Sequence, residues 1–343
     1  MVLISVVIAS FNHAPFVQSC LRSVLQQGID NLEILVTDDG SQDATAQLVA
    51  QLATQQAAKP ASPQIHLQAF AQNQGACAAM NDAIGRARGK YIAVLNSDDQ
   101  FLPGKLQRQV AFLQQHPAVG AVFGWPAFID EHGAPFADDS HKDHAVFHQP
   151  NRPRQQWLRH FFDHGNALCH PTAMLRREVY DTVGLYDPRL AQVPDLDQWI
   201  RVCMHFDIHV LPEPLTAFRI RDQQQNASAA RPEVIIRDAW ERARILRHYL
   251  TLPADHFAQV FPELVNQIGT QTERLANYAL SLPYPFYHRF ALDAWFDALP
   301  DGQFMQSTQL ADPTAWQRFI AATATVDLHR LMQPPTQGGR TSH

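Results

Sequence analysis

The chain is 343 residues long, with 46% hydrophobic and 17% charged residues, a globular composition that excludes a disordered chain and leaves room for more than one domain. The net charge of −6, from 27 basic and 33 acidic residues, excludes the broad basic footprint of a nucleic-acid binder. Four cysteines (Cys20, Cys77, Cys169, Cys203) form no C-x-x-C pair, which argues against a zinc ribbon or a disulfide framework and fits a reducing compartment.

The opening MVLISVVIAS is apolar but has no positive n-region and no small-residue cleavage site, so it reads as a strand and not as a signal peptide. No run reaches the roughly 18 apolar residues of a membrane span, and the expectation is a soluble, cytoplasmic protein. Residues 3–10 form a continuous apolar run, the mark of a strand covered on both faces. Pro15 suits the first turn of a helix whose apolar face is Val17, Cys20, Leu21 and Val24, closed by Gly28. Residues 32–37 form a second strand, ended by Asp38, Asp39, Gly40 and Ser41; a helix through Ala46, Val49, Ala50 and Ala53 follows. After the loop KPASPQ come a short strand at 65–70 and a helix at 76–88 ended by Gly89. A strand at 91–95 then meets Asn96, Ser97, Asp98 and Asp99.

This alternation of strand and helix predicts an α/β fold, a mostly parallel sheet flanked by helices. Ligands bind such sheets beyond the carboxyl ends of the strands. The polar clusters at 10–12, 38–41 and 96–99 should therefore share one cleft. No G-x-G-x-x-G follows the first strand and no P-loop occurs, so the usual dinucleotide and nucleoside-triphosphate readings are poor.

Five segments in order, VVIASFN (6–12), VTDDGSQDAT (36–45), NQGACAAMNDAIGRARGKYIAVLNSDD (73–99), HPTAMLRREVYDTVGLYDPRL (170–190) and PDLDQWIRV (194–202), resemble the inverting glycosyltransferases of family 2, with the GT-A fold. The resemblance implies a transferase domain at 1–230; the amphipathic pattern that follows predicts a helical C-terminal extension at 231–332, and 333–343 reads as a flexible tail. It assigns Asp99 to a divalent cation, Mn²⁺ or Mg²⁺, and Asp98 to the same metal shell or to the donor's ribose. The chemistry agrees: a hard cation with oxygen ligands neutralises a departing diphosphate, and it relieves the repulsion between adjacent carboxylates. A plainer alternative is that these acids cap the helix at 105–113. Asp38 corresponds to the residue that recognises a uracil-like base, although Asp and Gly also suit a tight turn there. Ala9, Ser10, Phe11 and Asn12 replace a Pro-Thr-Tyr-Asn-like segment that lines the donor site. Asn73 and Gly75 match the N-x-G element, while Met80 stands where many members have Arg.

Asp195 takes the place of the family's general base, and Asp197 is the runner-up at the helix start. Asp195 with Gln198 would also make a capping box. Arg221 replaces a histidine that ligates metal in some relatives; it either clamps the diphosphate or sits in a solvated loop. Between 126 and 170 the chain is polar, with His132, His141, His144, His148, His160, His164 and His170, none with convincing zinc spacing. A hairpin near 130–133 and an acceptor-side lid are expected there, with Asn166 and His170 towards the acceptor. Beyond about 231 an amphipathic pattern (Ile236, Ala239, Trp240, Ala243, Leu250) carries Arg237, Arg242, Arg244 and Arg247, which suit either a solvated face or peripheral contact with the inner membrane surface.

The resulting expectation is a metal-dependent inverting transferase moving a sugar from a nucleoside-diphosphate donor, UDP favoured, to a glycan or lipid-linked glycan in polysaccharide or lipopolysaccharide biosynthesis. The alternative is a catalytically impaired nucleotide-sugar binder or scaffold.

Overall fold

The computed structural model describes residues 3–59, 62–136, 144–221, 231–299 and 317, 318, 320 and 321. The chain opens with β1 (Ile4–Ser10), α1 (Val17–Leu25), β2 (Leu32–Asp38), α2 (Thr45–Ala57), β3 (Gln64–Ala69), α3 (Ala76–Arg86) and β4 (Tyr91–Asn96). It continues with β5 (Gln100–Phe101), α4 (Lys105–Gln115), β6 (Val119–Ile129), α5 (His144–Phe147) and α6 (Arg154–His164). Then come β7 (Met174–Arg176), α7 (Arg177–Val183), α8 (Pro194–His205) and β8 (Asp207–Arg219).

One eight-stranded sheet results, in the order β3-β2-β1-β4-β7-β6-β8-β5. β1 pairs in parallel with β2 and β4, β2 with β3, and β6 with β8, while β7 opposes both β4 and β6 and β5 opposes β8. Only β5 and β7 therefore run against the rest. Ile4, Val6, Val7 and Ile8 have no exposed surface, as a strand under helices on both faces requires.

The strand order reverses at β1: β2 and β3 lie on one side of it and β4 on the other. The loops after β1 and β4 diverge there, which opens the crevice where such sheets hold ligands. β8 runs in the same direction as β4, so its end, Arg219, reaches the same edge. β7 runs the opposite way, and the residues that precede it lie at that edge too, with Val94 donating to the Ala173 carbonyl at 3.1 Å.

Some local expectations are corrected. Gly89 does not end α3; Arg86 is its last residue, and a Cβ on Gly89 would lie 2.5 Å from the Ser5 nitrogen. The glycine is there because the chain passes against β1. The hairpin forms, with Asp130 Oδ1 accepting the His132 and Ala134 N–H groups. Not all of 126–170 is lid: α6 buries Trp157, Leu158, Phe161 and Phe162 and belongs to the core. His141 lies outside the described residues.

The chain divides into two compact units, Met1–Asn226 and Ala227–His343. The second contains α9 (Pro232–Ile245), α10 (Ala254–Val260), α11 (Gln271–Ser281) and α12 (Pro285–Ala298). A capping box starts α11, between Thr270 and Glu273. The apolar stripe expected on α9 is buried only in part: Ala243 is inside and Ala239 half-buried, while its two largest side chains face out. Val234, Glu241, Ala243 and Ile245 are its buried residues, whereas Ile236 and Trp240 are 54% and 49% exposed; Ile236 sits roughly 200° around the helix from Val234. Arg242, Arg244 and Arg247 face Asp238, Asp293 and Asp297 at 2.6, 3.8 and 2.5 Å. Residues 333–343, and residues 300–316 and 322–330 of the helical run expected towards 330, lie outside the described residues. Among the described residues no helix is long and apolar enough to cross a membrane.

Candidate active site

The first wall is the pair of loops after β1 and β2, zipped together by side chains. Asp38 is buried at the end of β2, opposite Ser10 in the β1 register. It accepts from Ser10 Oγ at 3.0 Å, from the Ser41 N–H at 2.9 Å and from Ser41 Oγ at 2.6 Å. The turn is thus made, and it holds the carboxylate at the cleft edge. Asn12, at φ +52°, receives the Gln42 N–H on its Oδ1 at 2.8 Å and donates its own N–H to Ser41 Oγ at 2.9 Å. Phe11 stands 40% exposed and Ala9 is half-buried. Asp39 reaches the third loop, accepting the Gln74 and Gly75 N–H groups at 2.7 and 2.9 Å. Gly75 starts α3 at φ +98°, and Asn73 beside it is exposed.

The second wall is the acidic pair. Asp98 and Asp99 do not cap α4, whose N-cap is Gly104. Asp99, 1% exposed, accepts the Arg219 N–H at 2.7 Å on one oxygen and Asn96 Nδ2 at 2.9 Å on the other. Burial, and then the neighbouring Asp98 charge, push its carboxyl well above the usual range, against those donated bonds and the Arg219 charge. Asp98 is half-buried, with His13 Nε2 3.8 Å from its carboxylate. His13 Nδ1 lies 2.7 Å from Ser97 Oγ, and Arg221 Nη1 lies 3.1 Å from Nε2. Arg221 is therefore not in a solvated loop; its guanidinium also lies 5.4 Å from the Phe16 ring, with Arg219 at 4.9 Å from the same ring.

Among the described residues no group of three or more His, Cys, Asp or Glu side chains is placed to hold a metal. Two carboxylates still fit a divalent cation whose other ligands are phosphate oxygens and water. Each Asp99 oxygen keeps a further lone pair beyond its hydrogen bond, and a cation would relieve the like-charge strain on that buried carboxyl.

The third wall carries Asp195. Pro194 occupies the first turn of α8 and Val193 is the N-cap, so Asp195 falls inside the helix and the capping box with Gln198 does not form. Asp195 Oδ2 instead accepts Asn166 Nδ2 at 2.6 Å. Asp197 is 4% exposed and bound to Arg201 at 2.8 Å, which ties it into the scaffold. His170 Nε2 lies 2.9 Å from the Tyr186 hydroxyl. The Asp195 charge is among the causes, after burial and Tyr180, that hold that hydroxyl well above its ordinary pKa. Asn166 thus ties Asp195 to the segment that leads into β7.

Residues 5–184 match the family model described as glycosyl transferase family 2. The chain belongs to glycosyltransferase family 2. The succinoglycan biosynthesis protein ExoO of Rhizobium meliloti is 37% identical over 107 residues, 31% of this chain and 28% of that protein. Among solved structures, Staphylococcus aureus TarS in complex with UDP-GlcNAc superposes with a TM-score of 0.57 at 17% identity, covering 93% of this chain and 81% of that one. The mannosyltransferase PcManGT of Pyrobaculum calidifontis, in complex with GDP-Man and Mn²⁺, gives 0.52 at 18% identity, covering 94% and 86%. The fold is GT-A, with a helical C-terminal region.

In this family 2 transferase, sequence reasoning passed over His13 and Arg219. Both had a signal. His13 directly follows residues 9–12, and Arg219 ends a strand at the carboxyl edge of the sheet. Asn166, expected towards the acceptor, has Asp195 as a partner.

Proposed function

We propose that this glycosyltransferase moves one sugar, with inversion at the anomeric carbon, from a nucleoside diphosphate, UDP favoured, to a hydroxyl of a glycan or lipid-linked glycan. What supports the reading is an acidic pair with two guanidinium groups at one sheet edge, and a carboxylate held separately by the segment that leads into β7. The acceptor oxygen attacks the anomeric carbon while the bond to the diphosphate oxygen breaks, and the electron pair leaves with the diphosphate. Asp195 takes the hydroxyl proton. Arg221 meets the diphosphate oxygens, Asp38 and residues 9–12 with Asn73 and Gly75 hold the nucleoside, and Asp98 and Asp99 hold Mn²⁺ or Mg²⁺. The cation, when bound, neutralises the charge that develops on the leaving diphosphate. UDP is favoured because TarS binds UDP-GlcNAc on this fold, and ExoO supports a polysaccharide setting.

The test is release of UDP, GDP and TDP from a panel of nucleotide sugars with Mn²⁺, Mg²⁺ or EDTA, for wild type, Asp99→Ala and Asp195→Asn. Metal-dependent release that both variants lose supports the reading. Tight, metal-dependent binding by calorimetry without any release, even with glycan acceptors present, makes the chain a binder. No binding of any nucleotide sugar sinks the proposal.

A further inference from the structure

Asp195 is held from outside its own helix. Asn166 donates from Nδ2 to Asp195 Oδ2 at 2.6 Å, and the other end of the same amide, Oδ1, accepts the Leu168 N–H at 3.0 Å. The second bond fixes the orientation of the amide, because only its carbonyl oxygen can accept from a backbone N–H. Asp195 Oδ1 meanwhile accepts the Leu196 N–H at 2.8 Å. One oxygen is therefore held by the helix and the other by Asn166, and the carboxylate plane is set by both.

The mount of Asn166 is equally specific. α6 is anchored in the core through Trp157, Leu158, Phe161 and Phe162. Its last turn closes with the Gly165 N–H donating to the Phe161 carbonyl at 3.2 Å. Gly165 then takes φ +83°, ψ −155°, a region essentially reserved for glycine. This turn delivers Asn166 from the end of a rigid helix onto the carboxylate.

We propose that Asn166 is the positioning residue of the transfer: mounted by Gly165, it holds the Asp195 carboxylate in the single orientation from which it takes the acceptor's proton. The inference rests on Asp195 being the base. A hydrogen bond donated to a carboxylate favours its charged form, so Asn166 both aims Asp195 and keeps it ready to receive a proton. A general base held loosely loses much of its effect, since misplacement by about 1 Å can remove on the order of 100-fold in rate.

Asn166→Asp isolates the contact. It keeps an oxygen for the Leu168 N–H but replaces the amide donor with a second carboxylate facing Asp195, and such a pair shares a proton. Expected are a fall in kcat of at least about tenfold at neutral pH, KM for the nucleotide sugar unchanged, and an acidic limb of kcat/KM moved to higher pH. Gly165→Ala should move the limb in the same direction by displacing Asn166. If Asn166→Asp melts early, Asn166→Ala makes the same test without the added charge. A readout independent of turnover is the carbon-13 NMR titration of the Asp195 carboxyl, assigned by its absence from Asp195→Asn. Its midpoint should rise in Asn166→Ala. An unmoved midpoint and an unmoved acidic limb would overturn the proposal for Asn166 even if Asp195→Asn is inactive. Full turnover in Asp195→Asn would instead remove the base reading on which it stands.

Discussion

The backbone N–H of Arg219 donates to Asp99 Oδ1 at 2.7 Å across 120 positions of sequence. The bond fastens the loop after β4 to the end of β8, and the Arg219 side chain repeats the link from the other direction. Its Nε donates to the Asp98 carbonyl at 2.8 Å, and Nη1 donates to the carbonyls of Asp130 and Glu131 at 2.9 Å each. The acidic pair is thus oriented by β8 and the β6 hairpin as much as by its own strand.

Removing the Arg219 fork should loosen all of these at once. Arg219 is 3% exposed, and Arg219→Ala takes a charged donor away from the half-buried carbonyls of Asp98, Asp130 and Glu131. A loss of on the order of 2–4 kcal/mol is expected in urea denaturation. Arg219→Lys should recover less than half of it, because an ammonium cannot reproduce the planar fork. Equal stability of the lysine variant and wild type would show that charge alone matters here.

The first wall, formed by the loops after β1 and β2, has its own weak point at Gly40. It has φ +74°, and a Cβ there would lie 2.6 Å from the Gln72 carbonyl carbon and 2.8 Å from the Asn73 nitrogen. Those contacts are backbone and cannot swing aside. Gly40→Ala should destabilise the protein by about 2–4 kcal/mol through combined strain and clash. It should also weaken UDP binding in calorimetry, because Asp39 and Asn73 move with it. Unchanged UDP affinity in a folded variant would detach Asn73 from the donor site.

The strands and the acidic clusters were legible because their signals are local. The buried run at 3–10, the alternation up to Asp99 and the turn chemistry of Asp38 to Ser41 each sit within a few neighbouring residues. The pairs that organise the site are not local: Asn166 with Asp195 spans 29 positions, His13 with Ser97 spans 84, and Arg219 with Asp99 spans 120. No periodicity marks such partners. The start of α8 misled for a different reason. Pro194 fits the first helical position, which moved the cap back to Val193 and released Asp195 for Asn166. On α9 the spacing of Ile236 and Trp240 was helical, but of that face the second unit buries only Ala243, together with Val234, Glu241 and Ile245 from the opposite one.

The acid limb of stability should run through His170. Burial holds its imidazole down to about 4, against an ordinary 6.5. The unfolded chain takes up that proton near 6.5, whereas the folded one resists until about 4. The contribution of the neutral ring is therefore complete above 6.5 and is lost as the pH falls from there towards 4. Between pH 7.5 and 5 this amounts to roughly 2 kcal/mol. His160, also held at about 4, by burial and then by Arg152 and His164, acts in the same direction. His170→Gln should be less stable at pH 7.5, since the contact of His170 with the Tyr186 hydroxyl is changed, yet its stability should fall less steeply with acid. Urea midpoints of wild type and variant, measured from pH 7.5 to 5, decide it: converging curves identify the neutral His170 ring as the source of acid sensitivity, and parallel curves assign that sensitivity to other groups.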